Sequence, residues 1–179
     1  MLKEVLAAME VKEYNYFRIR AYQNVVPVVE GLTMSVYNLW ENKRLDEIPG
    51  VGETIKTHLQ ELFSKGKVTE WDAVRHDLPQ GMFALIGIRG IGAKRAYKLS
   101  KAFDLEERDN ALEKVLEAAE EGKVRDLDGF GEKTEEKIIE AISEMKKTKQ
   151  EKKRTLLVKA EEIAERVIAH LETHPAIED

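Results

Sequence analysis

The chain has 179 residues, a formal net charge of −5 and no cysteine, which excludes disulfides, thiolate metal sites and a thiol nucleophile. With 42% hydrophobic and 35% charged residues it reads as a folded soluble protein, long enough for one core or two small helical ones. No run approaches the roughly 20 apolar residues of a membrane span. The opening Met1-Leu2-Lys3-Glu4 reads as no signal peptide, and a cytoplasmic location is expected.

The expected fold class is all-α, with few or no strands: a first helical unit over residues 1–75, a second over 78–145, and a basic linker with a long amphipathic helix over 146–179. Pro79 and Gly81 mark the boundary between the units. The first unit opens with Phe17-Arg18-Ile19-Arg20-Ala21-Tyr22 and then Val25-Val26-Pro27-Val28-Val29. A proline there removes an amide donor and predicts a kink or a new turn. Aromatic residues Phe17, Trp40, Trp71 and Phe103 could stack on bases, but their helical spacing favours core positions.

A signature then recurs at a period of about forty. Its copies are Ile48-Pro49-Gly50-Val51-Gly52, Ile88-Arg89-Gly90-Ile91-Gly92 and Leu127-Asp128-Gly129-Phe130-Gly131. Each is followed by an apolar residue seven positions after the second glycine: Leu59, Leu99 and Ile138. Each copy is therefore a tight glycine turn feeding an amphipathic helix, whose predicted start lies just after the glycine pair. This is the helix-hairpin-helix pattern. Paired glycines permit the turn and leave main-chain N–H groups open at a helix start, where amides and dipole favour a phosphate oxygen. Contact through the main chain reads no base edge, so the expected partner is duplex DNA, gripped without regard to sequence.

The three copies differ in their surroundings. Lys94, Arg95 and Lys98 follow the middle turn, making it the best phosphate clamp; Arg89 and Lys101 belong to the same basic patch. Glu53 and Thr54 follow the first turn, and Glu132, Lys133 and Thr134 the third. A glutamate there competes with phosphate for the same positive field, so the third copy fits a structural role as well as a DNA contact. The acidic stretches 104–121 and 161–179 are expected to face away from DNA. The run Lys146, Lys147, Lys149, Lys152, Lys153 and Arg154 suits either phosphate contact or a flexible linker, its composition favouring the linker. The four histidines form no metal-binding pattern, so no side-chain metal site is expected.

Taken with the hairpin at Gly50, the Phe17–Tyr22 segment resembles the amino-terminal, lyase-like domain of the family X DNA polymerases, the polymerase beta type. The bacterial and archaeal members are the nearest in pattern. The Gly90 hairpin is similar to the second motif of that family, in its DNA-binding thumb, and Leu127–Ile138 to the third hairpin of microbial members. The stretch from Arg154 to Asp179 is similar to the linker and helix that lead into the palm. The resemblance implies binding to gapped or nicked duplex in DNA repair. It also implies sodium or potassium at the hairpin carbonyls of Ile48, Val51, Ile88 and Ile91.

The palm of that family carries a Gly-Ser turn and an Asp-x-Asp metal pair on strands, which this sequence does not show, so the chain resembles either the front half of such a polymerase or a stand-alone descendant of that half. The chain is therefore not expected to polymerise, and magnesium is expected only if a palm follows. Eukaryotic relatives also remove a 5′-deoxyribose phosphate through a lysine eight residues after the first glycine, a position held here by His58. Thr54 stands where the family has a phosphate-binding lysine. The resemblance leaves Arg18, Tyr22, Thr54 and His58 as a candidate 5′-phosphate pocket and the nearby Lys56 as a weak substitute nucleophile. Finally, Leu157, Ala160, Ile163, Ala164, Val167, Ile168 and Leu171 form an apolar stripe. It would fold back, dimerise, or dock a partner such as the palm.

Overall fold

A computed structural model describes the main chain of residues 1–172 and the side chains of 1–148 and 163–168. The regular secondary structure among the described residues is all helical. Helices α1 (Leu2–Val11), α2 (Tyr16–Gly31) and α3 (Val36–Glu41) lead through a short 3-10 turn at Leu45–Glu47 into α4 (Glu53–Lys65). Then come α5 (Thr69–Arg75), α6 (Gln80–Leu85), α7 (Ala93–Ala102), α8 (Ala111–Glu120) and the long α9 (Glu132–Glu172).

Local chemistry sets most of these boundaries. Asn15 caps α2 by accepting from the Phe17 amide, and Ser35 caps α3 by accepting from Asn38. Gly66, at φ +74°, ends α4 in the left-handed conformation that closes many helices. Helix α2 runs on through Pro27 rather than breaking there. Pro27 is exposed, so the carbonyl it leaves without a partner can turn to water.

A single apolar core runs from Val5 in α1 to Ile142 in α9. Helix α1 is the hinge of this arrangement: it packs on α2 and α5 of the first unit and equally on α7 of the second. Glu4 adds a polar bolt, accepting from Arg75 of α5 and from Arg108 in the α7–α8 loop at 2.7–3.0 Å. Gly81 is also more than a boundary marker. It is buried within α6, its N–H bonds to the Leu105 carbonyl at 3.0 Å, and a Cβ there would lie 2.5 Å from that oxygen.

The carboxyl-terminal segment differs from expectation too. The main chain is one uninterrupted helix from 132 to 172, so the basic run is helical where its composition favoured a linker. Of the expected apolar stripe, Ile163, Ala164, Val167 and Ile168 are exposed, so this part does not fold back onto the core. The side chains of Leu157, Ala160 and Leu171, and of Lys149, Lys152, Lys153 and Arg154, lie outside the described residues.

Candidate nucleic-acid interface

The three hairpins are built alike. In each, two successive i→i+3 turns precede the helix. Ile48 donates to Leu45 and Val51 to Ile48; Ile88 to Leu85 and Ile91 to Ile88; Leu127 to Val124 and Phe130 to Leu127, all at 2.9–3.2 Å. The first glycine of each pair sits at positive φ: +82° at Gly50, +90° at Gly90 and +82° at Gly129. That conformation at the third turn position is the one only glycine takes without cost. The residues that point inward anchor the turn, with Leu45, Ile48, Leu85, Ile88, Ile91 and Val124 at most 4% exposed. Leu45, Leu85 and Val124 extend the repeat by one apolar position, three before the residue from which the sequence pattern was read. The spacing 45-48-51, 85-88-91 and 124-127-130 was the available signal.

The second glycine does something different. Gly52 and Gly92 are the N-cap residues of α4 and α7, with ordinary φ of −85° and −84°. A Cβ added at Gly52, Gly92 or Gly131 would meet nothing within 4 Å. The fold therefore has no steric need for glycine at these three positions. All six hairpin glycines are exposed. No side chain caps α4 or α7, and the first bond accepted by each glycine carbonyl comes from Lys56 and Ala96. Among the described residues, the N–H groups of Glu53 and Thr54, and of Ala93 and Lys94, have no protein acceptor. Uncapped amides at the positive end of a helix dipole, with open space before them, form an anion seat.

The third turn is tighter. Thr134 and Glu135 both donate to the Gly131 carbonyl, at 2.8 and 3.0 Å, so one amide fewer is open than in the other two. Glu135 is fully buried and accepts from the Arg125 main-chain N–H at 2.9 Å and from its Nε at 2.6 Å. This carboxylate staples the incoming loop to the first turn of α9. Lys133 is exposed beside it.

The expected cations are present but already engaged. Lys98 Nζ lies 2.7 Å from an Asp128 carboxylate oxygen and 2.9 Å from its carbonyl, tying α7 to the third hairpin. Arg95 donates to the Gly90 carbonyl at 3.2 Å and stacks over Phe130 with its Cζ 5.8 Å from the ring centre. Lys94 reaches Glu13 at 3.3 Å, an exposed pair. Thus Arg95 and Lys98 clamp the second and third hairpins together before any ligand is considered. An Asp-x-Asp sequence does occur at Asp126-Leu127-Asp128, but it lies in this hairpin loop rather than on a strand. No cluster of three or more metal-ligating side chains is present among the described residues.

The residues of the candidate 5′-phosphate pocket do converge, Thr54 excepted, but the pocket is closed. Trp71 Nε1 donates to the Tyr22 hydroxyl oxygen at 2.8 Å, which leaves the hydroxyl proton for His58 Nδ1 at 2.9 Å. His58 then carries its proton on Nε2 and donates to Glu70 at 3.0 Å. The other Glu70 oxygen accepts from Arg18. Tyr22 is 1% and His58 6% exposed, and burial pushes the tyrosine hydroxyl above its ordinary pKa while the Trp71 N–H partly offsets this. A carboxylate thus stands where a phosphate would have to sit. Glu70 was not singled out from the sequence; only the fold brings α5 against α2 and α4. Thr54 is exposed near the first hairpin instead.

Lys56 is a poor imine nucleophile in this setting. Its Nζ lies 2.7 Å from Asp46, whose hydrogen bond raises its pKa and keeps the amine charged. Two residues from His58, it also projects from a different face of α4. Of the aromatics whose spacing favoured core positions, Trp71 is core, and Trp40 and Phe103 are partly buried against it. Phe17 departs from expectation: at 78% exposed it projects into solvent, edge-on to Tyr16.

Comparison with known proteins agrees with this geometry. Residues 1–68 match the family "Helix-hairpin-helix domain", and residues 83–144 match "SAM-like Helix-hairpin-helix tandem". The chain is 29% identical over 144 residues to the DNA polymerase/3'-5' exonuclease PolX of Bacillus subtilis (strain 168). That alignment covers 80% of this chain and 24% of the relative, so the chain spans about a quarter of the length of the protein it matches.

Proposed function

We propose that this chain, whose two helix-hairpin-helix segments are similar to the family X DNA polymerase it matches, grips duplex DNA by the sugar-phosphate backbone, independently of sequence, at gaps or nicks undergoing repair. The observation that carries this reading is the second glycine of each pair. A Cβ there would meet nothing in the protein, so packing does not call for glycine, and in this reading its absence of a side chain keeps the helix-start amides uncovered. Glycine at Gly52, Gly92 and Gly131 is explained by an anion that must approach the main chain closely.

In this reading the Gly90 hairpin is the principal clamp, with Lys94 and Arg95 beside it, and the Gly50 hairpin holds a second stretch of backbone. Gly129 and Gly131 with Lys133 and Thr134 form the weakest seat. A sodium or potassium ion would fit the free lone pairs of the Ile48 and Ile88 carbonyls together with those of Val51 and Ile91. Nucleotide transfer and its magnesium ions would require a palm domain. The exposed Ile163, Val167 and Ile168 on α9 are then a docking surface for that palm or for a second copy.

The test is a salt series on a fluorescent gapped duplex. With about four to six phosphates contacted, log affinity should fall with log salt at a slope near −4 to −5. Gly52→Val combined with Gly92→Val should fold as the parent does, since both positions have extended φ and open space, yet lose at least tenfold in affinity. Binding by the double variant equal to that of the parent would exclude the amides as the phosphate seat.

A further inference from the structure

We propose that a groove beside the first hairpin, bounded by α3, the 3-10 turn and α4, takes one unpaired nucleobase of the DNA held there; this rests on the DNA reading above. The groove has a volume of about 680 Å3 and is lined by Tyr37 and Trp40 on one side and Asp46, Lys56, Gln60 and Ser64 on the other. Tyr37 is 47% exposed, so its ring is partly open to a ligand. It is also held from behind: its centroid lies 5.4 Å from that of Trp40 and 5.6 Å, edge-on, from that of Phe63, and Trp40 and Phe63 are 5.5 Å apart. Three mutually packed rings make a platform that loses little freedom when a fourth ring stacks on it.

Charge decides between occupants. The lining carries two acids, Glu41 and Asp46, and two bases, Lys43 and Lys56, and Lys56 is neutralised by Asp46 at 2.7 Å. A groove with balanced charge offers nothing to a phosphate. It suits a flat, neutral heterocycle with a polar edge, which the Gln60 amide and the Ser64 hydroxyl could meet from α4. The phosphate charge has its own seat nearby. Lys56 lies four residues after Gly52, about 6 Å along the same helix. A strand with a phosphate on the Gly52 amides would therefore carry its adjoining unpaired base toward Tyr37. The base is recognised by stacking, so any of the four bases is accepted.

The experiment compares two duplexes of equal length, one blunt and one with a single-nucleotide gap carrying 2-aminopurine opposite it. The full chain should prefer the gapped duplex by roughly tenfold and quench the 2-aminopurine as it stacks. Tyr37→Ala should abolish both effects while leaving affinity for the blunt duplex unchanged, and Tyr37→Phe should keep both. Persistence of the gap preference in Tyr37→Ala, or its loss in Phe17→Ala instead, overturns the groove and leaves the DNA reading intact. Failure of the parent chain to bind either duplex overturns both.

Discussion

Gly50, Gly90 and Gly129 share a positive φ, whereas Gly52, Gly92 and Gly131 stand before open space. One sequence pattern thus contains two physical demands, the first from the turn and the second from whatever approaches it. Gly90→Ala should lower unfolding free energy by about 1–2 kcal/mol, the cost of a Cβ in the left-handed region. Gly92→Ala should change it by less than about 1 kcal/mol, and urea unfolding of the pair separates the two roles. A third glycine obeys a different rule. At Gly81 a Cβ would lie 2.5 Å from the Leu105 main-chain oxygen, so Gly81→Ala should destabilise by about 3 kcal/mol or fail to fold. Tyr22→Phe should cost about 2 kcal/mol in the same assay, because Trp71 Nε1 and His58 Nδ1 both lose their buried partner. Position and spacing reveal the turn glycines; the Gly81 contact comes from a loop 24 residues away and has no local signature.

Among the elements, α1 and α7 carry the most consequence. Glu4 on α1 bridges Arg75 and Arg108, and the Arg108 hydrogen bonds hold its carboxyl below the ordinary 4.5 against the opposing effect of burial. A carboxylate depressed in the folded state contributes stability above its unfolded pKa and loses it as pH falls through the lower, folded value. Glu4→Gln should therefore reduce stability near pH 7 and flatten its decline below about pH 4.5. Parallel urea titrations of parent and variant across that window check it. Helix α7 holds Lys98 against Asp128, an exposed pair of little value to stability but of direct bearing on charge. Asp128→Asn should release Lys98 toward phosphate and steepen the salt slope of DNA binding by about 1. An unchanged slope would mean that Lys98 serves only to position the third hairpin. The glycine pattern places α7 and its cations correctly, but the acids that occupy them lie on other segments, Glu13 and Asp128.

For the molecule as a whole, the question is whether the hairpins act together. One core joins them, α1 touches both units, and Arg95 and Lys98 lock the second hairpin to the third. A rigid body with several amide seats should bind a duplex with a slope that reflects all of them. Lys94→Ala combined with Arg95→Ala should reduce the slope by roughly 1–2. Long-range attraction should be modest, since the net charge is −5.

The residues by themselves determined the all-helical class, the three turns, the helix starts at Glu53, Ala93 and Glu132, and the likeness to the polymerase family. Each of these depends on short-range rules, glycine conformation and apolar periodicity, that operate within a dozen positions. Tertiary structure alone decided that Glu70 closes the cluster around His58, that Lys56 pairs with Asp46, and that Phe17 faces solvent. It also decided that the two units share one core. Those outcomes turn on which charged or apolar group arrives from a distant segment. Pairing and burial of that kind are properties of the packed chain, with no periodic mark along it.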